Sequence, residues 1–443
     1  MGELMYSKSS LRRAGSAATA VAAGLATVVP IATPAAAAPA FRTERVSVSS
    51  AGVQSDDSTL TGDLSADGRY VVFESYASTL VPGDTNGTGD VFLRDRQTNV
   101  TTRLSVSPTG AQADGASSEP QISADGRYVT FLSFATNLAS DPRPEIGYDI
   151  YLLDRQTGAL DRVSETADGR PADGDSLGPS ISADGRYVAF QTYAGNLIPG
   201  VPGGNVLLYD RTTGQLSPVS VNADGTVAPS GGFGPFISAN GRYVAFVSYS
   251  ADLAPGDTNG VGDIYVRDLV AGTTVRASVG DHDQQIDDSR GGQVSNDGRY
   301  VTFWSYDDNV VAGDDNDAAD VFVRDLVAGT TRVVSAAADG TPANGYSTGT
   351  ELTPDGRHVV FSSVATDLVT GDTNGTDDVF RKDLRTGATI LVSRRTGGVQ
   401  GNESSSNPTT TPNGKIIAYG SSATNLTAGD TNEQTDLFVT KIG

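Results

Sequence analysis

Five polar segments of this sequence carry aspartate and asparagine at one fixed spacing, Asp-x-Asn-x-x-x-Asp. The residues are Asp84, Asn86 and Asp90; Asp257, Asn259 and Asp263; Asp314, Asn316 and Asp320; Asp372, Asn374 and Asp378; and Asp430, Asn432 and Asp436. Carboxylate and amide oxygens gathered on a short loop are the ligands that Ca²⁺ prefers. The spacing therefore predicts calcium as a cofactor held by these segments. The alternative is a bare turn, in which the same side chains hydrogen-bond their own backbone.

One serine lies in a pattern typical of hydrolases, Gly345-Tyr346-Ser347-Thr348-Gly349. The elbow that uses this pattern needs a strand followed by a helix, and here the segment falls between predicted strands. A triad also needs a base, and the chain has only two histidines, His282 and His358, and no cysteine. We expect Ser347 to lie apart from both histidines. We predict no catalytic residues and no enzymatic activity.

Two acidic pairs keep an enzymatic alternative open. Asp287 with Asp288, and Asp307 with Asp308, offer the two carboxyl groups that a glycosidase uses. Both pairs lie in loops that do not follow the sequence repeat described below.

The elements that must position all these residues come from a repeat. Seven copies of one motif, mostly Asp-Gly-Arg-Tyr, begin at Asp67, Asp125, Asp184, Asn240, Asp297, Asp355 and Asn413. The intervals are 58, 59, 56, 57, 58 and 58 residues, which indicates one supersecondary unit built seven times. Each unit holds four predicted strands, and its inner strands are apolar on both faces. That arrangement is typical of the blades of a β-propeller.

The two ends of the chain share the phase of the repeat. The seventh unit stops after its third strand, and Arg45-Val46-Ser47-Val48 supplies a matching fourth strand from the other end. From Arg45 to Asp67 is 22 residues, as from Arg103 to Asp125. We predict an all-β fold, a seven-bladed β-propeller of four-stranded antiparallel blades. The N-terminal strand completes blade seven and closes the ring, which hides its edges, and all the long loops gather on one face.

Aromatic residues recur near the exit of each second strand, with Trp304 close to them. They are Tyr76, Phe134, Tyr193, Tyr249 and Tyr306. Such side chains can stack on sugars, but their equivalent positions favour packing between blades, because aromatic side chains dominate protein cores. The repeated Arg267-Asp268 and Arg324-Asp325 pairs indicate structural corners.

The composition of the chain indicates where the protein is located and which classes of partner it can bind. Residues 1–40 join Lys8, Arg12 and Arg13 to an Ala/Val-rich run and a small-residue end, the pattern of a secretory signal peptide. We expect residues 41–443 to form the propeller. The formal charge of −22 repels phosphate backbones, so we expect no nucleic-acid partner. No segment has the length of a membrane span. We expect a secreted monomer.

The segment Ile181-Ser182-Ala183-Asp184-Gly185-Arg186-Tyr187-Val188-Ala189-Phe190 resembles the PD40 repeat, the WD40-like repeat of TolB-type propellers. The resemblance covers residues 41–443. It implies a β-propeller with a binding or scaffolding role, often in bacterial envelopes or among secreted proteins. TolB itself has six blades and an extra N-terminal domain, and we do not expect that domain within residues 41–443. The acidic segments also resemble the calcium loops of integrin-type propeller repeats, with the closing Asp two residues sooner.

These features predict a binding or scaffold protein whose long-loop face holds a protein or polysaccharide ligand. The alternative is a carbohydrate-active enzyme, a glycoside hydrolase or lyase, with its carboxylates in loops that depart from the repeat. The segment from Asp281 to Arg290 is one such departure.

Overall fold

A computed structural model of the chain describes residues 40–141, 147–280 and 283–443. The predicted signal peptide, apart from its last residue, lies outside the described residues, as does His282. Within them the chain forms strands and turns, and no helix is long and apolar enough to cross a membrane.

The strands form seven antiparallel four-stranded sheets, as predicted. The first strand of the chain is β1 (Phe41–Arg45). Blade 1 holds β2 (Thr59–Leu64), β3 (Tyr70–Ser75), β4 (Asp90–Asp95) and β5 (Val100–Arg103); blade 2 holds β6 (Ser117–Ile122), β7 (Tyr128–Ser133), β8 (Asp149–Asp154) and β9 (Ala159–Arg162); blade 3 holds β10 (Ser176–Ile181), β11 (Tyr187–Thr192), β12 (Asn205–Asp210) and β13 (Gln215–Pro218).

The remaining blades repeat this order. Blade 4 holds β14 (Phe233–Ile237), β15 (Tyr243–Ser248), β16 (Asp263–Asp268) and β17 (Thr273–Arg276); blade 5 holds β18 (Ser289–Val294), β19 (Tyr300–Ser305), β20 (Asp320–Asp325) and β21 (Thr330–Val333); blade 6 holds β22 (Ser347–Leu352), β23 (His358–Ser363), β24 (Asp378–Asp383) and β25 (Thr389–Leu391); blade 7 holds β26 (Ser405–Thr410), β27 (Ile416–Ser421) and β28 (Asp436–Ile442).

The seventh blade is completed by β1, which pairs with β28 from Phe41 opposite Ile442 to Arg45 opposite Phe438. The predicted closure is confirmed, but the predicted strand boundaries are wrong. The outer strand ends at Arg45 instead of starting there, just as β5 ends at Arg103. Beyond Arg45 the chain bends, because the Val48 N–H donates to the Val46 carbonyl and Val48 then bridges to Gln54.

The hydrophobic core lies between neighbouring blades. Val71, Val72 and Phe73 in β3 are all fully buried, since a second strand packs against a blade on each side. The Phe73 ring stacks on Phe92 of the adjacent strand, with ring centroids 5.7 Å apart. The predicted two-sided burial of the inner strands is therefore confirmed, and hydrophobic packing between blades holds the ring together.

Candidate functional site

The repeated Asp-Gly-Arg-Tyr motif forms a structural corner in each of the first six blades. In blade 1 the Arg69 guanidinium donates hydrogen bonds of 3.0 and 2.7 Å to Asp95 and lies over the Tyr70 ring. The bonds from Arg69 hold the pKa of Asp95 well below its usual range. Equivalent ion pairs are Arg127–Asp154, Arg186–Asp210, Arg242–Asp268, Arg299–Asp325 and Arg357–Asp383. Asp268 and Asp325 are thus corner residues, as predicted, but their partners are Arg242 and Arg299 and not the adjacent Arg267 and Arg324.

In three of the five acidic loops, an arginine lies between the two aspartates. Arg103 Nη1 is 3.3 Å from Asp84 Oδ1 and 3.5 Å from Asp90 Oδ2 in blade 1. Gln112 also donates to both carboxylates, at 2.7 and 3.1 Å. A guanidinium therefore supplies the positive charge at the place where a metal ion was predicted.

The loops of blades 4 and 7 follow the same plan. Arg276 Nη1 lies 3.7 Å from Asp257 and 3.4 Å from Asp263. In blade 7 the arginine comes from the other end of the chain. Arg45 Nη1 is 3.1 Å from Asp430 and 2.9 Å from Asp436.

Blade 6 replaces the arginine by an amide. Leu391 stands at the position of Arg103, since both residues pair with the matching phenylalanine of the third strand. Gln400 Nε2 bridges the two carboxylates instead, at 2.7 Å from Asp372 and 2.7 Å from Asp378. The asparagines of these loops also serve the fold, as Asn374 donates to the Gly401 carbonyl at 3.0 Å.

Blade 5 has neither partner. Val333 replaces the arginine and Pro342 replaces the glutamine. Burial and the neighbouring carboxylates raise the pKa of Asp314 to about 7, and burial raises that of Asp320 to about 6. Across the described residues, no three His, Asp or Glu side chains are grouped closely enough to hold a metal ion.

The hydrolase-like serine is a structural residue. Ser347 is fully buried, and its Oγ donates to Ser363 Oγ at 2.9 Å. His358 begins the second strand of the blade, of which Ser363 is the last residue, and lies 3.7 Å from Asp383. The predicted separation of Ser347 from His358 is confirmed. The other acidic candidates also have local partners, since Asp288 pairs with Arg290 at 3.0 Å and Asp307 accepts the Asp287 N–H at 2.7 Å.

A cavity of about 560 Å³ runs along the axis of the ring and is lined by the first strand of every blade. Each of these strands is irregular in its middle, where its register against the second strand shifts. At this point the backbone is left-handed, with φ of 60° at Gly178 and 64° at Gly349. In blade 2 a glutamate, Glu119, adopts the same conformation at φ 50°. A strained non-glycine residue of this kind suggests a functional position.

Three carboxyl groups line this cavity, and its described lining residues include no lysine, arginine or histidine. Burial raises the pKa of Glu351 to about 8 and that of Asp63 to about 6. Partial desolvation also raises the pKa of Glu119. Gln293 Nε2 donates a hydrogen bond of 2.6 Å to Glu351 Oε2.

The same cavity residues tie the blades together. Asp63 accepts the N–H of Ile122 in the next blade at 2.9 Å, and Gln121 accepts that of Ile181 at 3.1 Å. These bonds satisfy backbone donors on the free inner edge of each blade, which would otherwise be costly to leave unpaired. Asp63 is therefore a structural residue as well as a channel carboxyl.

Aromatic side chains also lie on the long-loop face of the propeller. In blades 1 to 5 the residue that follows the second strand is aromatic and 38% to 65% exposed: Tyr76, Phe134, Tyr193, Tyr249 and Tyr306. The prediction that they pack between blades is wrong. Val364 and Ser422 occupy the equivalent positions in blades 6 and 7, so the fold does not need an aromatic ring there.

Further rings extend this surface, which we call the aromatic mouth and define by those five residues with Tyr148, Phe233, Trp304 and Tyr346. Phe134 contacts Tyr148 with centroids 5.2 Å apart, and Phe233 stacks on Tyr249 at 5.6 Å. Trp304 meets Tyr306 edge-on at 5.9 Å and also lines the cavity. Trp304 thus belongs to both the mouth and the lining of the acidic channel.

Most of this site was missed from the sequence. The first strands are short and rich in Gly, Pro and Ser, as in Ser117–Ile122, so nothing marks Glu119 or Glu351 as facing an axis. The equivalent placement of the five aromatic residues was visible, and their absence from two blades was the clue that they are not core residues.

No protein-family model and no curated protein sequence matches the chain. Among solved structures, an oligogalacturonate lyase in complex with manganese is similar over 92% of this chain and 97% of its own, at 13% identity and a TM-score of 0.53. The β-propeller domain of the Trilobed protease from Pyrococcus furiosus covers 86% of this chain and 92% of its own, at 11% identity and a TM-score of 0.53. TolB from Acinetobacter baumannii covers 85% and 81%, at 15% identity and a TM-score of 0.38. Likeness at these identities shows the fold, a β-propeller.

Proposed function

We propose that this chain is an exported, non-enzymatic propeller that binds an uncharged polysaccharide at the aromatic mouth. The observation that carries the proposal is the set of half-exposed aromatic rings at one repeat position in five of the seven blades. Exposed aromatic rings do not stabilise a fold, since the hydrophobic gain comes from burial. They do provide flat apolar platforms on which the faces of sugar rings stack.

The channel beneath the mouth suits the same ligand. Its volume of about 560 Å³ lies in the range of small-molecule sites, roughly 300–1,000 Å³. Carboxyl groups such as Glu119 and Glu351 accept hydrogen bonds from sugar hydroxyls, and a carboxyl group can also donate one when it is protonated. The channel also disfavours an anionic ligand, because its described lining carries carboxyl groups and no basic side chain.

The net charge and the N-terminal sequence of the chain support the proposed export and the choice of an uncharged ligand. Its charge of −22 disfavours nucleic acid and anionic surfaces as partners. The signal-like residues 1–40 support export. We propose a monomer, since the ring is closed by the chain's own first strand.

A second candidate is a glycan-degrading enzyme, and the channel carboxyls favour it. Glu351 and Asp63 have raised pKa values of about 8 and about 6, and carboxyl groups with different pKa values can serve as acid and base. Against this, Asp63 is bonded to the next blade. Oligogalacturonate, the substrate named for one similar structure, is a polyanion, which this acidic channel does not suit.

The chain carries its own reporter for the test. Trp304 is the only tryptophan of the sequence and lies where the mouth meets the channel, so its fluorescence reports a ligand there. Neutral, acidic and basic polysaccharides are titrated against the full chain, and the products are assayed for new reducing ends. We expect a response to a neutral polysaccharide without cleavage.

Matched variants locate the site. Tyr306→Ala and Tyr249→Ala should each weaken binding by up to about tenfold, in line with roughly 0.5–1.5 kcal/mol for an aromatic contact. Val327→Ala, at a still more exposed apolar residue of a short turn on the opposite face, should leave binding unchanged. Equal binding by all three variants would contradict the mouth as the site, and new reducing ends that disappear in Glu351→Gln would favour the enzyme.

A further inference from the structure

The acidic loop of blade 5 differs from its four counterparts in a way that points to a ligand. In blades 1, 4 and 7 an arginine faces both aspartates, and in blade 6 a glutamine bridges them. Blade 5 keeps Asp314, Asn316 and Asp320 but has Val333 and Pro342 where these donors belong. Blade 5 thus has the aspartates of the other acidic loops but neither the arginine nor the glutamine that binds them there.

The consequence is a buried carboxylate oxygen without a partner. Asp314 is only 8% exposed, and its Oδ1 is buried with no hydrogen bond. In blades 1, 4 and 6 the glutamine donates to the equivalent oxygen of Asp84, Asp257 and Asp372. An unpaired buried carboxylate is costly, since it loses its hydration without compensation.

Two further aspartates, Asp308 and Asp320, belong to the same loop or follow it directly. Asp320 is fully buried and accepts only from Ser335 and Asn316. Asp308, from the same long loop, also has a buried Oδ1 without a partner, and its negative charge acts on both Asp314 and Asp320. None of the described lysines or arginines forms an ion pair with these three residues.

We propose that the loop of blade 5 binds one Ca²⁺ ion, with Asp314 and Asp320 as its charged ligands. The ion takes the place that the arginine guanidinium occupies in blades 1, 4 and 7. Ca²⁺ fits because it accepts an irregular set of six to eight oxygens, including backbone carbonyls and water, whereas Mg²⁺ demands a near-ideal octahedron. This site is independent of the polysaccharide proposed for the mouth. It also narrows the five-loop calcium prediction to one loop.

The repeat itself supplies the test. The full chain is stripped with EGTA, and its melting temperature and metal content are measured with and without CaCl2. We expect one calcium per chain and a higher melting temperature in calcium. Asp314→Asn should weaken calcium binding by more than about a hundredfold, since removal of an orienting neighbour alone costs ten- to hundredfold. Asp84→Asn in blade 1 is the matched control and should leave calcium binding unchanged.

A second variant separates binding from folding. Val333→Arg places a guanidinium at the position that Arg103 holds in blade 1, because Val333 pairs with Phe322 as Arg103 pairs with Phe92. This variant should melt in EGTA at least as high as the wild-type protein does, and it should no longer respond to calcium. The proposal is overturned if the wild-type chain binds no calcium, or if Val333→Arg binds it as tightly as the wild type does. A response to MgCl2 equal to that in CaCl2 would refute the choice of ion.

Discussion

Arg45 and Asp436, 391 residues apart in the sequence, form an ion pair of 2.9 Å that joins the first strand of the propeller to the last. Asp436 is fully buried and also accepts a hydrogen bond of 2.8 Å from Ser55. The same cluster forms inside blade 1, where Arg103 faces Asp90. Blade 4 makes the same contact between Arg276 and Asp263. The ring is therefore closed by an ion pair that blades 1 and 4 form within a single blade.

The first prediction concerns this pair. Arg45→Met should destabilise the protein by about 3–5 kcal/mol, because it leaves buried carboxylates without their counter-charge. The control is Arg170→Met, which removes an ion pair to Asp168 with both side chains well exposed, and surface pairs contribute little. Denaturant unfolding measures both variants. Equal unfolding midpoints for the two variants would show that the Arg45–Asp436 pair contributes no more to stability than an exposed ion pair does.

The second prediction concerns the strand itself. Deleting Phe41–Arg45 uncovers the edge of β28 over all its pairs with β1, and removes the buried Thr43 with its bond to Thr440. Each lost ladder bond costs about 0.5–1.5 kcal/mol, and the bare edge promotes association between chains. We expect a lower melting temperature and larger species by size-exclusion chromatography. An unchanged melting temperature and elution volume would contradict the composite blade.

The fold could be predicted largely from the sequence because the repeat fixes it. The Asp-Gly turn at Asp67 sets the start of the second strand, and the spacing of Arg45 sets the phase of the closing strand. The end of that strand could not be predicted, because it depends on a bend at Val46 to Val48 made by backbone hydrogen bonds.

The site was harder to predict, for two physical reasons. Arg103 reaches the acidic loop from a neighbouring strand, and only the register that pairs it with Phe92 brings it there. The exposure of Tyr306 depends on how far the loops spread around the axis, which periodicity does not encode. Sequence patterns thus located the polar and aromatic residues without showing what they face.

The third prediction tests the close contact between successive turns. Gly126 has φ 74°, and a Cβ added there would lie 2.4 Å from Cδ2 of Tyr70 in the preceding blade. Gly126→Ala should therefore cost about 1–2 kcal/mol for the left-handed backbone and roughly 1–3 kcal/mol more for overpacking. Gly110→Ala is the control, since Gly110 has φ 84° and nothing within 4 Å. Unfolding in urea should show the larger loss for Gly126→Ala, and equal losses would mean that Tyr70 moves aside freely.

The last prediction concerns pH and the channel. Burial raises the pKa of Glu351 from its ordinary value of 4.5 to about 8. The folded state therefore binds a proton that the unfolded state has lost between these two values, so its contribution to stability is fully present below pH 4.5 and is lost as pH rises towards 8. Glu351→Gln keeps the shape and the neutral state at every pH. Its melting temperature should match the wild type at pH 4 and exceed it increasingly up to pH 8, while Glu403→Gln, at an exposed loop residue, should follow the wild type throughout. Parallel melting curves for wild type and Glu351→Gln across this range would show that Glu351 ionises in the folded channel as freely as in water.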